Sequence, residues 1–124
     1  MLFRSRLGAP YTLAEVLIDR FVNDLRDRQK TRHWLHVTDE EHPVGGQLMG
    51  SNPSDFEPAA RKLVAAGFDV IDINFGCWVK NVVVRNAGAA LLKDPPQMQR
   101  LTRSIVDAVE LPVTVKTQIG RAHV

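Results

Sequence analysis

Asn52-Pro53-Ser54-Asp55-Phe56-Glu57-Pro58-Ala59-Ala60-Arg61-Lys62-Leu63-Val64-Ala65-Ala66-Gly67-Phe68-Asp69-Val70-Ile71-Asp72-Ile73-Asn74 reads as a helix that runs straight into a strand. Asn52 stands as N-cap, Pro53 at the first helical position, Asp55 in the first turn and Gly67 as terminator. The apolar residues Phe56, Ala59, Ala60, Leu63 and Val64 recur at i, i+3, i+4, i+7 and i+8, which predicts one buried helix face. Past Gly67 the pattern gives way to the β-branched run of residues 68–74, a strand.

The same grammar recurs downstream. Asp94 caps, Pro95 starts, and Met98, Leu101, Ile105 and Ala108 form a stripe ending near Glu110; Leu111-Pro112-Val113-Thr114-Val115-Lys116 follows as a strand. Upstream, His42 to Met49 forms a strand before the first helix, and Tyr11 to Leu17 an earlier one. The order β, α, β, α, β, α, β implies parallel pairing with right-handed crossovers. That is an α/β architecture, either an open doubly wound sheet or a (β/α)₈ barrel. Four strands are half of a barrel whose usual length is about 250 residues, so the chain reads as cut at both ends.

With 124 residues, 44% hydrophobic and 24% charged, the composition is that of one ordinary globular domain. No apolar run reaches the roughly 18 residues that span a bilayer, and Met1 to Arg6 lacks a signal peptide's apolar stretch, so no membrane partner and a cytoplasmic location are expected. The single cysteine, Cys77, rules out an internal disulfide and a multi-cysteine metal site, and no metal is expected. A net charge of +2 is too small to prove a polyanionic partner. Arg26, Arg28, Lys30, Arg32 and His33 crowd one segment, but Asp24, Asp27, Asp39, Glu40 and Glu41 lie beside them, as on a solvated mixed-charge surface.

Candidate chemistry gathers where Asp72-Ile73-Asn74-Phe75-Gly76-Cys77 leaves its strand. In α/β barrels the reactive groups sit at the carboxyl ends of strands, on the loops that lead into helices. Lys80 and Arg85 are placed to stabilise a thiolate or to draw in a phosphate backbone; a buried, inert cysteine fits the same spacing. Small residues in Arg85-Asn86-Ala87-Gly88-Ala89-Ala90-Leu91-Leu92 suit a close backbone approach. Gln47 and Lys116 stand near strand ends and should share a sheet face with Cys77. They suit a ring edge and a negative charge respectively, or serve as a plain strand-end amide and a solvated cation.

Four blocks together, Pro43-Val44-Gly45-Gly46-Gln47-Leu48-Met49-Gly50, Asp72 to Cys77, Ala87 to Leu92 and Pro112 to Lys116, resemble the bacterial tRNA-dihydrouridine synthases in order and spacing, over about Phe3 to Thr117. The resemblance implies an FMN-containing (β/α)₈ barrel with a helical tRNA-binding domain, monomeric when full length, that reduces tRNA uridines with electrons from NADPH. It makes Cys77 the acid that protonates uracil C5 and Asn74 a uracil contact. Gln47 and Lys116 become flavin ligands, and Lys80 and Arg85 candidates for substrate contact. Residues 1–117 then form part of the flavin-binding barrel, about strands two to five, with strand one, strands six to eight and the helical domain missing. Trp78 stands where the family has proline, and Asn81 where it has a basic residue. Residues 118–124 are expected to be a non-native tail, because Ile119 to Val124 matches adaptor DNA read in one frame and Gln118 replaces a usual arginine. Two other readings compete: a non-catalytic half-barrel that binds RNA or a partner, and another FMN barrel oxidoreductase such as a dihydroorotate dehydrogenase relative, which the asparagine-x-glycine-cysteine block disfavours.

Overall fold

Gly67 adopts φ +94°, the left-handed conformation that stops a helix at no steric cost, and the chain turns there from helix into strand. The computed structural model describes residues 2–26 and 31–118. Its helices are α1 (Leu2–Arg6), α2 (Asp19–Asp24), α3 (Pro53–Ala65), α4 (Lys80–Val83) and α5 (Pro95–Val106). Its strands are β1 (Thr12–Leu13), β2 (Leu17–Ile18), β3 (Val44–Met49), β4 (Val70–Asn74) and β5 (Val113–Lys116). Both long helices start as the sequence predicts. The Asn52 side chain accepts from the Ser54 N–H at 3.1 Å, and Asp94 accepts from the Gln97 N–H at 3.1 Å. Each cap is worth about 1 kcal/mol.

All strands pair in parallel, in the order β1-β3-β4-β5, with β2 also on β3. One sheet face is apolar: Val44, Leu48, Ile71 and Ile73 are buried with Phe56, Ala59, Ala60 and Leu63 of α3 and Leu101 and Ile105 of α5. Helix α2 packs on α3 and α3 on α5, so these helices form one layer. A doubly wound sheet would carry helices on both faces, whereas a barrel carries them only outside. Lys62 of α3 fixes the layer's edge by donating to the carbonyls of Val22, Asn23 and Leu25 at 3.0, 2.5 and 3.2 Å. A cation at the carboxyl end of α2 also opposes the negative pole of that helix.

Several expectations need correction. The strand expected over Tyr11–Leu17 is two short ones. Leu13 pairs with Gly45 and Leu17 with Leu48, so four residue steps on one strand match three on the other. One extra residue is therefore bulged opposite Gly46 and Gln47. Val64, placed in the buried stripe of α3, is 38% exposed. Helix α5 ends at Val106 rather than near Glu110. Between β4 and α5 lie two unforeseen pieces, α4 and a 3₁₀ helix over Gly88–Lys93. Part of the basic segment, residues 27–30, and residues 119–124 of the expected tail lie outside the described residues.

Candidate active site

The sheet's other face is polar. Parallel register aligns Gln47 with Asp72, Asp72 with Thr114, and Asn74 with Lys116, so all five side chains leave the sheet on the side away from the helix layer. Asp72, only 4% exposed, ties three strands together by accepting from Gln47 Nε2 and Thr114 Oγ1, both at 2.6 Å. Gln47 Oε1 in turn accepts from Asn74 Nδ2 at 3.0 Å. This chain of bonds fixes which end of the Gln47 amide is oxygen, and leaves it one N–H and one lone pair for a ligand edge. Tyr11 lies over the same face against Gly45, where a side chain would overlap its hydroxyl. Burial pushes the Tyr11 phenol up, and the Asp72 and Asp69 carboxylates add to the push.

Asn74 also builds the cysteine loop. Its Oδ1 accepts the backbone N–H groups of Gly76 and Cys77, each at 3.0 Å, so the turn out of β4 is held by the last side chain of the strand. From the other side the Ala89 N–H donates to the Cys77 carbonyl at 2.8 Å. Gly88, at φ +58°, lets the two segments meet. A Cβ there would lie 2.5 Å from Cys77 O and 3.1 Å from Cys77 Cβ. The small-residue stretch thus serves the close backbone approach that its composition predicts, and Cys77, half-buried and free, is pinned at both backbone groups. Gly88→Ala is expected to cost about 1–2 kcal/mol from left-handed backbone alone, with overpacking added. A lower urea midpoint and a changed rate of Cys77 thiol modification would show it.

Lys116 is exposed, and its Nζ lies against Gly76, 3.3 Å from where a Cβ would stand. Gln47, Asn74, Cys77 and Lys116 thus gather at the carboxyl edge of the polar face. Lys80 and Arg85 do not complete that cluster. Both are exposed, Lys80 on α4 and Arg85 in the turn after it, and Arg85 faces a separate cleft at the ends of β2 and β3. Asp72 and Thr114 went unassigned from the sequence. Their signal was the alternation of polar 72 and 74 with apolar 71 and 73 in a strand buried on both faces. No group of three or more metal-ligating side chains occurs among the described residues, nor any helix long and apolar enough to cross a membrane.

The sequence model for "Dihydrouridine synthase (Dus)" matches residues 5–123. The chain belongs to the dihydrouridine synthase family. It is similar to tRNA-dihydrouridine synthase B of Serratia marcescens, 37% identical over 116 residues, which are 94% of this chain and 34% of that protein. It is also similar to the tRNA-dihydrouridine(20/20a) synthase of Vibrio vulnificus, 38% identical over 87 residues, which are 70% of this chain and 27% of that protein. The probable tRNA-dihydrouridine synthase 1 of Synechocystis sp. is 36% identical over 86 residues, 69% of this chain and 24% of that protein. The chain spans about a third of the length of its Serratia relative. As part of a dihydrouridine synthase, the parallel sheet with one helix layer is a partial (β/α)₈ barrel, and its polar face is the barrel interior.

Proposed function

We propose that this chain forms part of the catalytic barrel of a flavin-dependent tRNA-dihydrouridine synthase, monomeric and cytoplasmic, with Cys77 as proton donor. The observation that carries the reading is the Asn74 carboxamide, which binds the Cys77 loop through its oxygen and Gln47 through its nitrogen. One side chain therefore fixes the acid relative to the amide proposed to hold a cofactor. FMN reduced by NADPH supplies, when bound, the hydride that goes to uracil C6. The C5–C6 double bond takes two electrons with that hydride, and C5 then takes a proton from Cys77 Sγ; solvent returns a proton to the thiolate.

The residues present suit such a cofactor. Gln47 has one donor and one acceptor site left for a ring edge, in a fixed orientation, and Lys116 brings a positive charge to the same edge of the sheet. Asn74 keeps one N–H for a uracil carbonyl. The target base, stacked or paired in folded tRNA, must be turned out to reach these groups. Lys80 and Arg85 are proposed to meet tRNA phosphates. Lys80→Ala with Arg85→Ala is expected to weaken tRNA binding at low salt and to make the log–log salt dependence shallower by about one unit per lost cation. Filter binding across a salt series measures this, and an unchanged slope removes both residues from the interface.

One observation favours the non-catalytic RNA-binding reading. Trp78, beside Cys77, is 76% exposed, as a stacking platform for bases would be. Dihydrouridine formation that depends on Cys77 decides for the enzyme. Tight tRNA binding with no reduction, in flavin-loaded protein, decides for the binding module.

A further inference from the structure

Asp19 has no task in the chemistry above. It is the first residue of α2, directly after β2, and is only 3% exposed. Its Oδ1 accepts the Arg20 backbone N–H at 2.7 Å, whereas no donor among the described residues reaches Oδ2. Gly50, across the sheet, gives the carboxylate its room, since a Cβ at Gly50 would overlap Oδ2. Neighbouring Asp55 accepts on one oxygen, Oδ2, from Arg20 Nε at 3.0 Å and Asn52 Nδ2 at 3.2 Å.

Asp19 lines a cleft of about 450 Å³, within the range of small-ligand sites. Ile18, Met49 and Val82 supply its aliphatic walls, and Arg20, Ser51, Asp55, Asn81 and Arg85 its other polar groups. The cleft also reaches Ala87, the neighbour of the Gly88 that packs on Cys77. Aliphatic walls beside a buried carboxylate, with the Arg20 and Arg85 cations on the same lining, suit a nucleobase with its phosphate. We propose that this cleft is a second nucleotide subsite, which takes the base adjacent to the reduced uridine and binds its exocyclic amino group on Asp19 Oδ2. The proposal rests on the tRNA-reducing reading of the Cys77 site.

Burial pushes the Asp19 carboxyl up and the Asp55 charge adds to this, while the Arg20 backbone N–H and guanidinium oppose it. A folded pKa above the ordinary 3.8 means that the folded chain favours the protonated form more than the unfolded chain does. The stability this gives is present in acid and is lost as pH rises through the folded pKa. Asp19→Asn is therefore expected to raise the melting temperature at neutral pH, with the gain vanishing in acid. A buried carboxylate that lines a cleft, with no donor among the described residues on one of its oxygens, is a candidate binding group.

The test is fluorescence anisotropy of labelled pentaribonucleotides on the full-length, flavin-loaded protein that carries this segment, comparing oligouridylate with pentamers that hold one central adenine or cytosine. Asp19→Asn keeps the Arg20 contact but turns an N–H toward the ligand's amino group. Wild type is expected to prefer the amino-bearing pentamers by roughly tenfold or more, as for a hydrogen bond to a charged group. The variant, melting at or above wild type, is expected to lose that preference and keep its oligouridylate affinity. Free AMP or CMP binding as tightly as the pentamers would make this a mononucleotide site and overturn the proposal. Equal affinities in wild type, or a preference that survives in Asp19→Asn, overturn it and leave the Cys77 reading intact. Failure to bind any RNA overturns both.

Discussion

Replacing Cys77 with alanine, in a full-length dihydrouridine synthase that carries this segment, is expected to cut dihydrouridine formation by about 10²–10⁴-fold, the usual contribution of a positioned general acid. The loop itself should survive. Its contacts run through the Cys77 N–H to Asn74 and the Cys77 carbonyl to Ala89, and alanine keeps both. Flavin content and tRNA affinity should therefore match wild type, so the loss falls on turnover alone. Nucleoside mass spectrometry of tRNA after a timed reaction gives the rate, and the flavin spectrum gives the loading. Full activity in the alanine variant would remove Cys77 from its role, and lost flavin would make it a structural residue.

Asp72→Ala is expected to be the most destabilising change on the polar face, at about 2–4 kcal/mol. Against a typical domain stability of about 5–15 kcal/mol, that is a large share. Two partners, the Gln47 amide and the Thr114 hydroxyl, lose their acceptor together, and Gln47 is buried. Asp72→Asn makes the informative contrast. An amide oxygen accepts from Gln47 while the amide nitrogen donates to the Thr114 hydroxyl, so both bonds can re-form and the cost should be much smaller. Urea unfolding of the two variants separates the cases. Equal midpoints would mean that Asp72 does not tie the strands together.

How much of this was legible varies with how local the cause is. Helix α3 was, because Asn52, Pro53 and Gly67 act within their own turns. Val64 was misplaced because the sheet covers a narrower stripe than the apolar residues offer. The bulge between Leu13 and Leu17 leaves no mark in composition, since a one-residue slip depends on the register against β3. Val82, Val83 and Val84 favour strand by propensity, yet Val82 and Val83 lie in α4, so tertiary packing overrode a weak local preference. That Gln47 and Lys116 would lie on the side of the sheet where the Cys77 loop leaves it was legible from their places at strand ends, whereas the roles of Cys77, Asn74, Gln47 and Lys116 come from the family resemblance and belong to the proposal. Asp19 was not legible, because the room for its buried carboxylate is left by Gly50, which is distant in sequence, and nothing near Asp19 announces it.

The most direct test of the central claim is to quantify dihydrouridine in tRNA from cells that lack their own synthases and express the full-length protein carrying this segment. The arrangement of Gln47, Asp72, Asn74 and Cys77 predicts that dihydrouridine returns with the wild-type segment and is nearly absent with Cys77→Ala. Folded, flavin-loaded wild-type protein that leaves every uridine unreduced would contradict it.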